Sequence, residues 1–192
     1  MYETLEVLKQ VTRALEQVGV PYRVGGSVAS SALGVPRATL DIDIVADLKP
    51  HHVTPLAHLL GQDFYFDQAH ALEAIQRRSS FNLLHLDKAI KVDIFLLNPT
   101  PFEQSAFARE HRIRLEEPPP PYSVSFCTAE DILLHKLRWY EMGGRSSERQ
   151  WGDILGILRV QTTLELDYLR RWAEELGLAE LLEQALAQAP LD

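Results

Sequence analysis

The sequence predicts an α+β fold in which strands and helices alternate as far as a run of four prolines, with only helices beyond it. Three observations carry this. Leu40 to Leu48 reads LDIDIVADL and opens with strict alternation of apolar and acidic positions. Leu5, Leu8, Val11, Leu15 and Val18 recur at helical spacing. Pro118 to Pro121 can be neither helix nor central strand, so it reads as a stiff connection across the surface and as a boundary. The expected organisation is a domain of strands and helices over 1–117 and a C-terminal helical bundle over 118–192 packed on it.

The elements follow in order. The N-terminal amphipathic helix ends at Val18, with Gly19 where a C-terminal cap belongs. Pro21-Tyr22-Arg23-Val24 is a short strand signal that runs into Gly25-Gly26 and then a helix start over Ser27 to Leu33. After the LDIDIVADL strand come a helix over Pro50 to Leu60, a short strand over Asp63 to Phe66 and a helix around Gln68 to Arg77. Phe81 to Leu86 and Ile90 to Leu97 are β-rich runs separated by Asp87-Lys88-Ala89, which suits a hairpin. Beyond the prolines, Thr128 with Glu130 and Asp131 starts a helix to about Met142, closed by Gly143-Gly144; helices over Ser147 to Val160 and Leu166 to Ala189 complete the chain.

The bulk properties narrow the function classes. With 192 residues, 46% hydrophobic, the chain can bury a core without a disulfide staple or a structural metal. A formal net charge of -8 argues against a general nucleic-acid binder, because backbone recognition draws on clustered positive charge. Arg77-Arg78, and Lys136 with Arg138, Arg145 and Arg149, suit either a local basic patch or solvated helix faces. The opening MYETLEVLKQ lacks the basic flank and apolar stretch of a secretory signal, and no apolar run is long enough to span a bilayer. Cys127 is the single cysteine. The expected setting is a reducing cytoplasm, with no membrane partner.

Asp41 and Asp43 alternate with apolar residues on one strand, so their carboxylates leave the same face and repel each other. A divalent cation removes that repulsion, and Mg²⁺ in particular combines one or two carboxylates with phosphate oxygens. Asp93, flanked by Val92 and Ile94-Phe95-Leu96-Leu97, would complete a triad able to hold two ions if its strand lies beside the first. Solvent exposure on an amphipathic strand is the plainer reading of Asp41 and Asp43, but aspartate is a poor strand former. Gly25-Gly26-Ser27 sits between strand and helix, where the backbone can approach a ligand closely and a helix N-terminus offers N–H groups to phosphate. Arg37 and Thr39 could add a cationic and a hydroxyl contact, with surface hydrogen bonding as the alternative.

Together, Gly25-Gly26-Ser27, Arg37-x-Thr39-x-Asp41-Ile42-Asp43 and Lys91-Val92-Asp93-Ile94-Phe95 resemble the signature of the DNA polymerase β-type nucleotidyltransferase superfamily, over roughly Tyr22 to Ile157. Within it the chain is similar to a minimal bacterial branch that includes AbiEii-like abortive-infection toxins. The resemblance implies a short mixed β-sheet flanked by helices, Mg²⁺ or Mn²⁺ on Asp41, Asp43 and Asp93, and an NTP triphosphate held by Ser27 and the backbone of Gly25 and Gly26. It also implies functional roles for Lys136, steadying the triphosphate, and for Asp153, orienting Lys136 or the acceptor. The stretch Gly143 to Trp151 departs from the branch's compact approach to the second of these residues, and both suit an ordinary helix-surface pair.

The activity so implied is transfer of NMP from an NTP to an RNA, protein or small-molecule acceptor, with tRNA among the RNAs. The alternative is a non-catalytic nucleotide-binding module or one half of a toxin–antitoxin pair. His51-His52 and His85 lack a second donor at ligand spacing, Trp139, Trp151 and Trp172 read as core, and Cys127 as a packed residue.

Overall fold

The computed structural model describes residues 2–189. They divide into two compact units, Met1–Val28 with Ala38–Phe126, and Ala29–Arg37 with Cys127–Asp192.

The strands of the first unit are β1 (Tyr22–Val24), β2 (Asp41–Ala46), β3 (Phe64–Phe66), β4 (Ser80–His85), β5 (Ile90–Leu96), β6 (His111–Leu115) and β7 (Tyr122–Phe126). They form one mixed sheet in the order β3-β4-β5-β2-β1-β7-β6. β2 runs parallel to β5 and β1 parallel to β7, while the other neighbours are antiparallel. The period of two in the sequence becomes two faces. Ile42, Ile44 and Ala46 of β2 and Val92 and Ile94 of β5 are buried, whereas Asp41, Asp43 and Val45, with Lys91 and Asp93, take the more open face.

Helix α1 (Tyr2–Gln17) packs against β2 and β7, α4 (Gln68–Arg77) against β4, and α3 (Pro50–Leu60) between α1 and α4. Val7, Leu8, Val11 and Leu15 of α1 are fully buried, each contributing roughly 2 kcal/mol of transfer free energy. Lys9 interrupts that stripe. Its ammonium donates to the carbonyls of Pro118 and Pro120 at 2.6 and 2.8 Å, which satisfies a buried charge and ties the proline run to α1.

Helix α2 (Gly26–Leu33) starts in the first unit and ends in the second. The second unit is otherwise helical, with α6 (Ala129–Met142), α7 (Glu148–Val160), α8 (Leu166–Glu175) and α9 (Ala179–Gln188). α6 packs on α7 and α8, and α9 on α7 and α8. The Thr128 hydroxyl caps α6 by accepting from the Asp131 amide and donates to the Asp131 carboxylate at 2.8 Å. That buried carboxylate also accepts from the Tyr168 hydroxyl at 2.6 Å.

One sequence expectation changes, and one unassigned stretch acquires structure. The helix expected over Leu166 to Ala189 is two helices, because Gly177 takes φ +71° and turns the chain between α8 and α9. Residues 101–126, unassigned from sequence before and after the prolines, hold α5 (Pro101–Ala108), β6 and β7. The prolines and β7, which pairs with β1 and β6, belong to the first unit, which runs to Phe126.

Candidate active site

Parallel pairing of β2 with β5 sets Asp43 directly beside Asp93 and Asp41 beside Lys91, all four on one face of the sheet. Neighbouring strands lie about 4.8 Å apart, so Asp43 and Asp93 are close enough to share a ligand. Asp41 is exposed at the start of β2; Asp43 and Asp93 are partly covered.

On the other side of β2, β1 delivers Gly25 and Gly26 to the same place. The Gly25 amide donates to the Asp43 carbonyl at 2.9 Å. Gly26 has φ +57°, and a Cβ built there would overlap the Asp43 carboxylate and come within 2.7 Å of the Asp43 Cβ. Only glycine fits this approach, on grounds of both backbone conformation and space. α2 begins at Gly26, which places Ser27 in its first turn, directly after the glycine that meets Asp43.

Lys91, part of the quoted motif but given no role from sequence, takes a definite one. Its ammonium lies 2.8 Å from Asp93 Oδ2, and that hydrogen bond, with the charges of Asp41 and Asp43 nearby, holds the lysine above its ordinary pKa against some desolvation. The signal was available: alternation puts residues 91 and 93 on one face.

Thr39 and Arg37 both have partners within the chain. The Thr39 hydroxyl donates to the Asp41 carbonyl at 3.2 Å and accepts from the Asp41 amide at 3.4 Å, shaping the entry to β2. In the second unit, Arg37 grips Asp153 with two parallel bonds, Nε to Oδ1 at 2.7 Å and Nη2 to Oδ2 at 2.8 Å. Lys136, 3% exposed at its side chain, donates to Asp153 Oδ2 at 2.8 Å. Burial raises the Asp153 pKa, but the bonds and charges of Arg37 and Lys136 outweigh it and leave the carboxyl below its ordinary value. The pair that could also have been an ordinary helix-surface contact is thus buried, with an arginine added.

The histidines have other partners. His52 Nδ1 accepts from the Lys49 amide in a cap of α3, and buried His85 accepts from the Lys88 amide in the β4–β5 turn. Among the described residues no group of three His, Cys, Asp or Glu side chains forms a ready metal cage. Mg²⁺ does not need one, since it binds through one or two carboxylates and completes its shell with water and phosphate. The oxygen donors on β2 and β5 fit that preference.

No protein-family model matches this chain, and no curated protein matches it in sequence. Solved structures match it in fold. An antigenic nucleotidyltransferase-like protein from Paracoccidioides brasiliensis superposes with a TM-score of 0.51 at 16% identity, over 99% of this chain and 94% of that one. JHP933 from Helicobacter pylori does so at 0.50 and 14% identity, over 97% of this chain and 78% of that one. The fold is the nucleotidyltransferase fold. In this nucleotidyltransferase fold the strand-turn-helix at Gly25 to Ser27 and the acidic strands β2 and β5 are neighbours in one sheet. No helix among the described residues is long and apolar enough to cross a membrane.

Proposed function

We propose that the chain is a divalent-metal-dependent nucleotidyltransferase that moves NMP from an NTP to an acceptor hydroxyl or phosphate and releases pyrophosphate. The observation that carries this reading is the register of Asp43 beside Asp93, with Gly26 closed against Asp43 from the other side. A phosphate cradle and a carboxylate set meet there.

Asp41 and Asp43 would hold the nucleotide-bound Mg²⁺ or Mn²⁺, and Asp93 would share a second ion. Bound there, the ions supply neutralisation of the phosphate oxygens and of the leaving pyrophosphate. The chain's own residues do the rest. The amides at the start of α2 and the Ser27 hydroxyl bind the triphosphate. Asp93 takes the proton of an acceptor hydroxyl as the new O–Pα bond forms and the bond from Pα to the bridging oxygen breaks, with the electron pair leaving on pyrophosphate. Within the second unit, Asp153 fixes Lys136 and Arg37 in one geometry.

A uniformly polar acceptor requirement is not built into this reading: RNA, protein and small-molecule hydroxyls all suit the chemistry. The finer placement beside AbiEii-like toxins, with an antitoxin partner in the cytoplasm, rests on the Lys136 and Asp153 positions. Incubation with each α-³²P-labelled NTP, Mg²⁺ or Mn²⁺ and total tRNA, beside Asp41→Asn/Asp43→Asn, tests the proposal. Label should reach RNA or protein only with the intact acids. NTP binding with no transfer to any acceptor would instead assign a nucleotide-binding module.

A further inference from the structure

Lys91 is set among three carboxylates. It stands two residues before Asp93 on the same face of β5 and opposite Asp41 on β2, and its charge also reaches Asp43. Its Nζ is 2.8 Å from Asp93 Oδ2, with side-chain exposures of 44% for the lysine and 21% for the aspartate. The nearby cation Arg23 is turned elsewhere: its guanidinium donates to the carbonyls of Tyr22 and Arg109 and lies over the Phe107 ring.

An ammonium has three donors and no acceptor, so it cannot ligate a metal. The carboxylate oxygen it holds is one that a divalent ion on this face would use. Lysine and ion are therefore competitors for Asp93 Oδ2, and the half-exposed, flexible lysine stem lets the ammonium withdraw.

We propose that Lys91 is the resident counter-cation of the acidic face: it holds Asp41, Asp43 and Asp93 together in the metal-free protein and gives up Asp93 when the divalent ion enters. This rests on the metal reading under Proposed function and adds a residue to it. The exchange tunes the site to be stable when empty and to take the ion reversibly. Lys91 is a positioning residue, not a ligand.

The test is Mn²⁺ titration of the full chain without nucleotide, followed by calorimetry and by the electron paramagnetic resonance signal of free Mn²⁺. Lys91→Met should bind Mn²⁺ more tightly than the native chain, by on the order of tenfold for removal of one competing charge. Lys91→Arg should stay close to native. Without metal, Lys91→Met should melt below the native chain, and saturating Mn²⁺ should raise its melting temperature by the larger increment. Equal or weaker binding by Lys91→Met, with binding still abolished by Asp43→Asn, would overturn the counter-cation role and leave the metal reading standing. Binding unaffected by Asp43→Asn, or absent from both native and Lys91→Met, would overturn both.

Discussion

Gly26 is closed against Asp43: its Cα faces the carboxylate so directly that any side chain would occupy the same space. The φ of +57° at Gly26 and the bond from the Gly25 amide to the Asp43 carbonyl make turn and strand one unit. What positions the glycine turn also positions the acid.

Gly26→Ala should therefore damage the site more than the fold. The left-handed conformation costs alanine about 1 kcal/mol, and displacement of the Asp43 side chain adds to it. The expected result is a stability loss of about 1–3 kcal/mol in urea unfolding. Nucleotidyl transfer should fall by at least about a hundredfold under conditions where the variant is fully folded. Retained transfer would separate the turn from the chemistry.

Asp43→Asn tests the opposite balance. Asp43 lies beside Asp93, so removing its charge relieves repulsion while keeping the shape. Its unfolding free energy should stay within about 1 kcal/mol of native, and its transfer activity should vanish. A large stability loss with activity intact would assign the carboxylate a structural role.

Asp153→Ala should be the most disruptive of these changes to the second unit. Asp153 receives both Arg37 and Lys136, and Lys136 has almost no solvent to turn to. Breaking a buried pair by removing one partner costs about 3–5 kcal/mol. Lys136→Met combined with Asp153→Leu should recover a good part of that loss in denaturant melts, because no charge is left unpaired at position 136. Failure of the double variant to recover anything would mean that packing, not charge, sets the cost.

The same carboxyl gives an acid limb to stability. Its pKa is lower folded than unfolded, so its contribution is fully present above the unfolded value, near 3.9, and is lost as pH falls through the folded value. The stability difference between native chain and Asp153→Asn should shrink as pH drops from about 5 to about 2, read from urea midpoints at each pH. A difference constant across that range would show that the ion pairs add nothing.

Much of this molecule was legible in its sequence. Period-two alternation gave β2 and its two acids one face, the helical stripe gave α1, and the β4–β5 hairpin followed from two apolar runs around Asp87 to Ala89. The parts that were not legible share a cause. β7 is five residues with Ser123 and Ser125 inside it, and it becomes a strand because β1 and β6 flank it. The break at Gly177 was hidden by a helical pattern on both sides.

The sequence by itself determined which residues carry charge on which face of each element, because side-chain direction along a strand or helix is a local consequence of backbone period. Tertiary structure alone decided which faces meet. The in-register neighbours Asp43 and Asp93, the lysine at Asp93 and the arginine at Asp153 join positions far apart in the chain. Strand order and helix packing choose such partners by burying apolar surface over the whole unit, a quantity that no local window of sequence contains.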